Sequence, residues 1–389
     1  MKVCLFTDTL GDLNGVSRFI QDMGEQAYAS LSQKDHSAKP FELHIVTSTQ
    51  KPIPDKPYIH NIKPGFKIAM PFYQELDLVW PNRKAIRQLL LTHQPDKVHI
   101  STPGPLGWIA KTEAKKLNIP LIGTYHTDFP AYILDLTHSH WLKKQTDQVM
   151  AKFYRHFDHV FSRSDAYLDI MQKDIQLDSE NISTLFPGTN LKRFHPKHQL
   201  HDIWTTFDLS QHRLKVLYVG RINIEKNIPF LLKTWQALME AQPELEADLV
   251  LVGEGRFRKL AGQYQRYHVH FLGPVQGQPL SELYASADVF VFPSITDTLG
   301  QVIMEAQASG LGCLVSDMGG PQTLIDHNQT GWILKANNLS DWQQALFKIL
   351  TETDLRQNWQ QNSRLKIESH DISHSFQQFR QRHELALKD

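Results

Sequence analysis

Short apolar runs alternate with longer stretches in which apolar residues recur every three or four positions, and the alternation occurs in two successive blocks. Continuous apolar runs bounded by turn residues read as buried strands, and the 3.6-residue period reads as covering helices. The first block predicts strands at residues 2–7, 43–47, 97–100, 121–124, 159–162 and 182–185. The second predicts them at 215–219, 248–252, 268–271, 289–292, 313–316 and 331–334. Strands apolar on both faces and separated by helices belong to open parallel sheets. Each block therefore predicts a Rossmann-like, doubly wound α/β domain, one over residues 1–190 and one over 191–365. The aperiodic stretch 187–213, with Pro187, Gly188 and Pro196, is the expected joint. From residue 339 the chain reads as helical, with Trp342, Leu346, Leu350, Trp359, Phe376 and Phe379 as packing residues, and the tail 366–389 is expected to cross back to the first domain. Two such domains facing one another predict a ligand cleft at the carboxyl ends of their strands.

Residues 289–310, VFVFPSITDTLGQVIMEAQASG, carry the most chemistry. An apolar strand is broken by Pro293-Ser294, and the period of Val302, Ile303, Ala306 and Ala308 predicts a helix ending near Gly310. Asp297 then sits in the entry loop and Glu305 about two turns in, eight residues of helix rising roughly 12 Å. Carboxylates that share one glycosidic bond lie about 5–9.5 Å apart, so this pair is expected to hold opposite ends of one long ligand. Between them, the backbone N–H groups of Thr298-Leu299-Gly300 and the positive end of the helix suit a diphosphate. Taken alone, the same pattern also describes an N-cap acid followed by a solvated glutamate.

Other candidates fall just after predicted strands. Gly15 opens the first helix, where a glycine lets a phosphate approach closely, although no G-x-G-x-x-G accompanies it and, taken alone, an ordinary turn glycine is the favoured reading. His126 and Asp128 follow strand 121–124; a neutral His126 could bond a sugar hydroxyl or the leaving phosphate and Asp128 could accept from another hydroxyl, with a structural histidine as the alternative. Arg221 and Lys226 follow strand 215–219 and offer a forked donor and a point charge for a diphosphate, or simply a solvated surface.

Basic and acidic residues balance at 41 each, so no overall field favours nucleic acid or an anionic membrane. Cys4 and Cys313 lie in apolar runs, which fits a reducing cytosol and no cysteine metal site. No secretory signal and no membrane-spanning run is read from the sequence. Residues 140–157 form a basic amphipathic stretch with Leu142, Val149, Met150, Phe153 and Phe157 as one stripe. It either packs on its own sheet or rests on anionic lipid.

Together these segments resemble the retaining nucleotide-sugar glycosyltransferases of family 4, with the two-domain GT-B fold. The resemblance rests on NGVSR at 14–18, TPGPLG at 102–107, YHTDFPAY at 125–132, PGTNLKRF at 187–194, VGRINIEKN at 219–227, VGEG at 252–255 and FPSITDTLGQVIMEAQASG at 292–310. The first domain is most similar to the glycolipid-forming branch, with its sulfoquinovosyl- and mannosyl-lipid enzymes. The resemblance implies Gly15 near the donor diphosphate, His126 at the sugar beside the reacting centre, Arg221 and Lys226 on the diphosphate, Asp297 on sugar hydroxyls and Glu305 on the ribose. Family members usually carry Glu where this chain has Asp297, often Pro where it has Gly312, and in many cases Glu where it has Thr323.

The expected activity is retaining transfer of a hexosyl group from GDP-mannose or a UDP-hexose to an acceptor hydroxyl, on a sugar, a lipid or a lipid-linked glycan. No cofactor and no metal are expected. The alternatives are a sugar-nucleotide epimerase on the same fold and a donor-binding protein without turnover. The expected location is the cytoplasm, at the inner face of the membrane where residues 140–157 touch it.

Overall fold

The computed structural model of the chain describes residues 1–12, 14–32, 40–70 and 73–385. The chain divides into two compact units, residues 1–187 together with 372–389, and residues 188–371.

The first unit contains β1 (Lys2–Phe6), β2 (Glu42–Thr47), β3 (Ile59–Asn61), β4 (Pro64–Met70), β5 (Tyr73–Pro81), β6 (Lys97–Ile100), β7 (Leu121–Tyr125), β8 (His159–Ser162) and β9 (Ile182–Thr184). Among the described residues, seven of these form a parallel sheet in the order β3-β2-β1-β6-β7-β8-β9, while β4 and β5 make a separate antiparallel pair. Neither β3 nor the hairpin is expected from the sequence. Ile59–Asn61 is short and mostly polar, and the hairpin exposes Phe66, Ile68 and Trp80, so neither shows the buried apolar run that marks a central strand.

The second unit contains β10 (Leu214–Val219), β11 (Ala247–Val252), β12 (Val269–Gly273), β13 (Val289–Phe292), β14 (Gly312–Ser316) and β15 (Gly331–Leu334), all parallel, in the order β12-β11-β10-β13-β14-β15. All six runs expected in this block are strands, with ends shifted by a residue or two. Every residue of β11 and β13 is buried, as helices on both faces require. Trp235, Trp342 and Trp359 lie wholly in this core, and truncating one would cost about 3–5 kcal/mol.

The helix Ile372–Leu385 belongs to the first unit, where Ile372, Phe376 and Phe379 share a core with Val3, Phe19 and Phe41. A buried polar chain ties it to the sheet. A carbonyl only accepts, so His383 Nδ1 donates to that of Phe379 at 2.7 Å. His383 Nε2 then accepts from His99 Nδ1 at 2.9 Å, and His99 Nε2 from the Thr124 hydroxyl at 2.8 Å, when both imidazoles are neutral. Burial drives both in that direction, His383 down to about 3.

Candidate active site

In the second unit the strand order reverses between β10 and β13, the place where open α/β sheets bind ligands beyond their carboxyl ends. The loops that follow these two strands are bonded together: Ser294 Oγ and Thr296 Oγ1 donate to the carbonyl of Glu225 at 3.3 and 3.2 Å. This brings Lys226 to Asp297, with Nζ 2.7 and 2.6 Å from the two carboxylate oxygens. Burial alone would raise the Asp297 pKa. The charge and hydrogen bonds of Lys226, with Ser294 and Arg221 behind them, overcome it and hold the group below the usual carboxylate range. Arg221 lies beside the pair, its Nη2 3.4 Å from the buried carboxylate of Glu225. An ammonium has three donors, and the Asp297 oxygens engage two of them.

The helix that follows is Gln301–Ala308, and Gly300, at φ +84°, starts it without a side-chain cap. Its first-turn N–H groups are therefore not covered by a capping side chain. Gly320 closes the other side of the loop: its N–H donates to the Asp297 carbonyl at 2.8 Å, and a Cβ there would lie 1.8 Å from the Thr298 carbonyl oxygen. The Gly319-Gly320-Pro321 segment thus supports the residues around Asp297 directly.

Because Asp297–Gly300 is not helical, the eight-residue helical rise expected between Asp297 and Glu305 does not apply; only Gln301 onward is helix. Glu305 is buried rather than solvated, and its Oε2 accepts from the Tyr284 hydroxyl at 3.1 Å. Leu299 is buried beside Gly300.

In the first unit, His126 follows β7, half-buried, with its ring 5.9 Å from that of Phe19. Burial, reinforced by the charge of Arg163, pushes its pKa well below the ordinary histidine value, so it is a neutral imidazole. Arg163 follows β8. Its guanidinium lies 3.6 Å from the Phe19 ring centroid, burial pulls its pKa down to about 9, and its Nη1 has no hydrogen-bond partner among the described residues. Asp128 serves the local fold, since its Oδ1 accepts from the Ala131 N–H and the Tyr125 hydroxyl, both at 3.1 Å, capping helix Phe129–Thr137. Gly15 is the exposed first residue of helix Gly15–Ser32, and the neighbouring Asn14 accepts from the Ser17 N–H at 2.8 Å.

The structure therefore joins Lys226 and Asp297, with Arg221 adjacent, while Gly15, His126 and Asp128 belong to the other unit. Arg163 and Glu225 were not singled out from the sequence. Arg163 could have been, since it follows a strand as His126 does.

The helix His140–Tyr154 buries Met150, Phe153 and Tyr154, and Phe157 beyond it is buried too. Val149, expected in the same stripe, instead faces outward at 53% exposure, alongside Trp141 at 66% and the exposed Lys144 and Lys152. Positions 141, 144/145, 148/149 and 152 share one helical face.

The chain matches Glycosyltransferase Family 4 over residues 14–193 and Glycosyl transferases group 1 over residues 207–366. It belongs to the family 4 glycosyltransferases. The chain is 27% identical over 332 residues to the sulfoquinovosyl transferase SQD2 of Arabidopsis thaliana, a match covering 84% of the chain and 64% of that protein. It is 28% identical to a GDP-mannose-dependent alpha-mannosyltransferase of Corynebacterium glutamicum, over 64% of the chain and 58% of the relative. The matches thus span less than two thirds of the length of these relatives. The crystal structure of Anabaena HepE in complex with UDP and glucose shares the fold, with a TM-score of 0.76, 16% identity and coverage of 99% of this chain and 100% of that one. Both units are parallel-sheet α/β domains, as in the GT-B glycosyltransferases.

Proposed function

We propose that this chain transfers a hexosyl group from a nucleotide-diphosphate sugar to an acceptor hydroxyl, with retention at the anomeric carbon and without a metal ion. The observation that carries this reading is the Lys226–Asp297 ion pair, with Arg221 beside it and an uncapped helix start next in the chain, at the strand-order reversal of the second unit. Lys226, Arg221 and the N–H groups at Leu299–Gly300 would stabilise the diphosphate as its charge grows on bond breakage. Asp297 would orient sugar hydroxyls and Glu305 would accept from the ribose. In the first unit, Gly15 would adjoin the diphosphate. The neutral His126 would bond the sugar beside the reacting carbon, and the departing phosphate would take the acceptor proton.

The relatives' names support two donor series, since one uses GDP-mannose and the Anabaena structure holds UDP and glucose. For the acceptor we favour a lipid or a lipid-linked glycan at the inner face of the membrane, contacted peripherally through Trp141, Val149, Lys144 and Lys152. No helix among the described residues is long and apolar enough to cross a membrane.

A thermal-shift series of UDP and GDP sugars with the full chain should single out one nucleotide, because specific binding raises apparent stability. The preferred donor, labelled and mixed with acceptor lipid in anionic vesicles, should then give product with unchanged anomeric configuration. An inverted product would overturn retention, a new sugar nucleotide formed without acceptor would indicate an epimerase, and donor binding without product would indicate a recognition protein. Activity lost to chelator and restored by magnesium or manganese would exclude the metal-free route.

A further inference from the structure

The first unit carries a second concentration of chemistry, on the other arm of its sheet. His44 lies on β2, His60 on the adjacent parallel edge strand β3, and His93 is the last residue of helix Arg83–His93. That helix is fixed at its start by Asn82, which accepts from the Lys84 and Ala85 N–H groups, and it ends at Gln94 in the left-handed conformation, so the position of His93 is well determined. Ring centroids lie 4.3 Å apart for His44 and His93, 4.9 Å for His60 and His93, and 5.3 Å for His44 and His60. One nitrogen from each ring falls within 4.8 Å of the other two, and His44 Nδ1 is 3.1 Å from His60 Nε2. A tetrahedral zinc ion bound at about 2.0–2.1 Å requires ligand nitrogens roughly 3.3 Å apart, close to that separation. On its other edge, His44 Nε2 is 3.9 Å from Glu42 Oε2, the outer carboxylate that ligating imidazoles commonly face. The three rings are half-buried.

A second trio, Asp248, His268 and His270, differs in kind. Asp248 is already engaged by Arg213 at 2.7 Å and Lys215 at 3.2 Å, so cationic side chains stand where an ion would.

We propose that His44, His60 and His93 bind one divalent transition-metal ion, zinc being the best suited, with Glu42 orienting His44 and water completing the tetrahedron. The ion clips the short edge strand β3 and the end of helix Arg83–His93 to β2. It takes no part in sugar transfer: β2 lies three strands from β7, which leads into His126, a spacing of about 14 Å.

The test uses the full chain freed of any affinity tag. After loading with zinc and dialysis, elemental analysis should give about one zinc per chain, and cobalt(II) in its place should give the intense visible bands of a tetrahedral site. Zinc X-ray absorption of the wild-type protein should show a nitrogen/oxygen shell with three imidazoles. H44Q, H60Q and H93Q should each weaken zinc binding at least ~100-fold, whereas D248N should leave it unchanged. Chelator should lower the melting temperature of the wild type without changing its initial rate at 25 °C. Absence of near-stoichiometric zinc in the wild type, a shell with fewer than three imidazoles, or undiminished binding by the glutamine variants would each overturn the proposal.

Discussion

Lys226 Nζ sits 2.6 and 2.7 Å from the two carboxylate oxygens of Asp297, across a sequence separation of 71 residues. Two loops from different strands of one sheet meet there, and each depends on the other for a neutral, ordered site.

Replacing Lys226 with Met should strip the half-buried Asp297 carboxylate of its closest counter-charge. The expected loss is about 2–4 kcal/mol in denaturant unfolding and at least ~100-fold in kcat/KM for transfer. Asp297→Glu keeps the charge and lengthens the arm by one methylene, so it should shift preference among donor sugars more than it lowers stability. Equal losses for every donor would argue against a sugar-facing Asp297.

The same carboxyl supplies a pH signature. Its folded pKa is depressed, so its contribution is fully present above the ordinary carboxylate value and disappears as pH falls through the folded one. The stability difference between wild type and Asp297→Asn should therefore shrink between pH 5 and pH 3. A constant difference would mean that the Lys226 pair does not hold the charge.

Arg163 offers a sharper separation of stability from function. Its buried guanidinium rests on the Phe19 ring with an Nη1 that has no partner among the described residues, so Arg163→Met exchanges a desolvation cost for apolar packing. Stability should stay within about 1 kcal/mol of wild type while transfer falls at least ~100-fold. A large loss of stability with normal turnover would assign Arg163 to the scaffold.

Acidification should act through the paired histidines of the first unit. His99 and His383 are both held neutral when folded, while in the unfolded chain they take up protons near pH 6.5. Stability should therefore fall as pH drops below about 6.5, by roughly 1.4 kcal/mol per pH unit for each histidine, until the folded groups protonate. His383→Phe should lower stability at pH 8 yet flatten the acid slope. An unchanged slope would remove His383 from the account.

Gly320→Ala places a Cβ against the Thr298 carbonyl and must push the Asp297 loop aside. Donor affinity measured by calorimetry should fall at least ~10-fold, with a stability cost of about 1–3 kcal/mol.

The central strands were legible in the sequence because strands buried on both faces leave unbroken apolar runs, as in β11 and β13. The edge strand β3 and the hairpin were not, since their polar or exposed residues show no such run. Lys226 and Asp297 could be singled out separately by their positions after strands, but their pairing arises only from the adjacency of β10 and β13. The rise between Asp297 and Glu305 counts Asp297–Gly300 as helix, whereas the left-handed Gly300 holds the helix back to Gln301. Asp128 stands out by its place after a strand, and its spacing to Ala131 adds an N-cap role. The trio of His44, His60 and His93 has no sequence signature because strand pairing and a helix end, not a motif, bring it together.

The helix Ile372–Leu385 completes a core begun by Val3. On the ribosome, the first unit to emerge is therefore the last to be finished: Phe19 and Phe41 wait uncovered through the synthesis of all of residues 188–371. A nascent chain halted before residue 372 should engage chaperones through that apolar face, although all seven strands of its sheet have already been made.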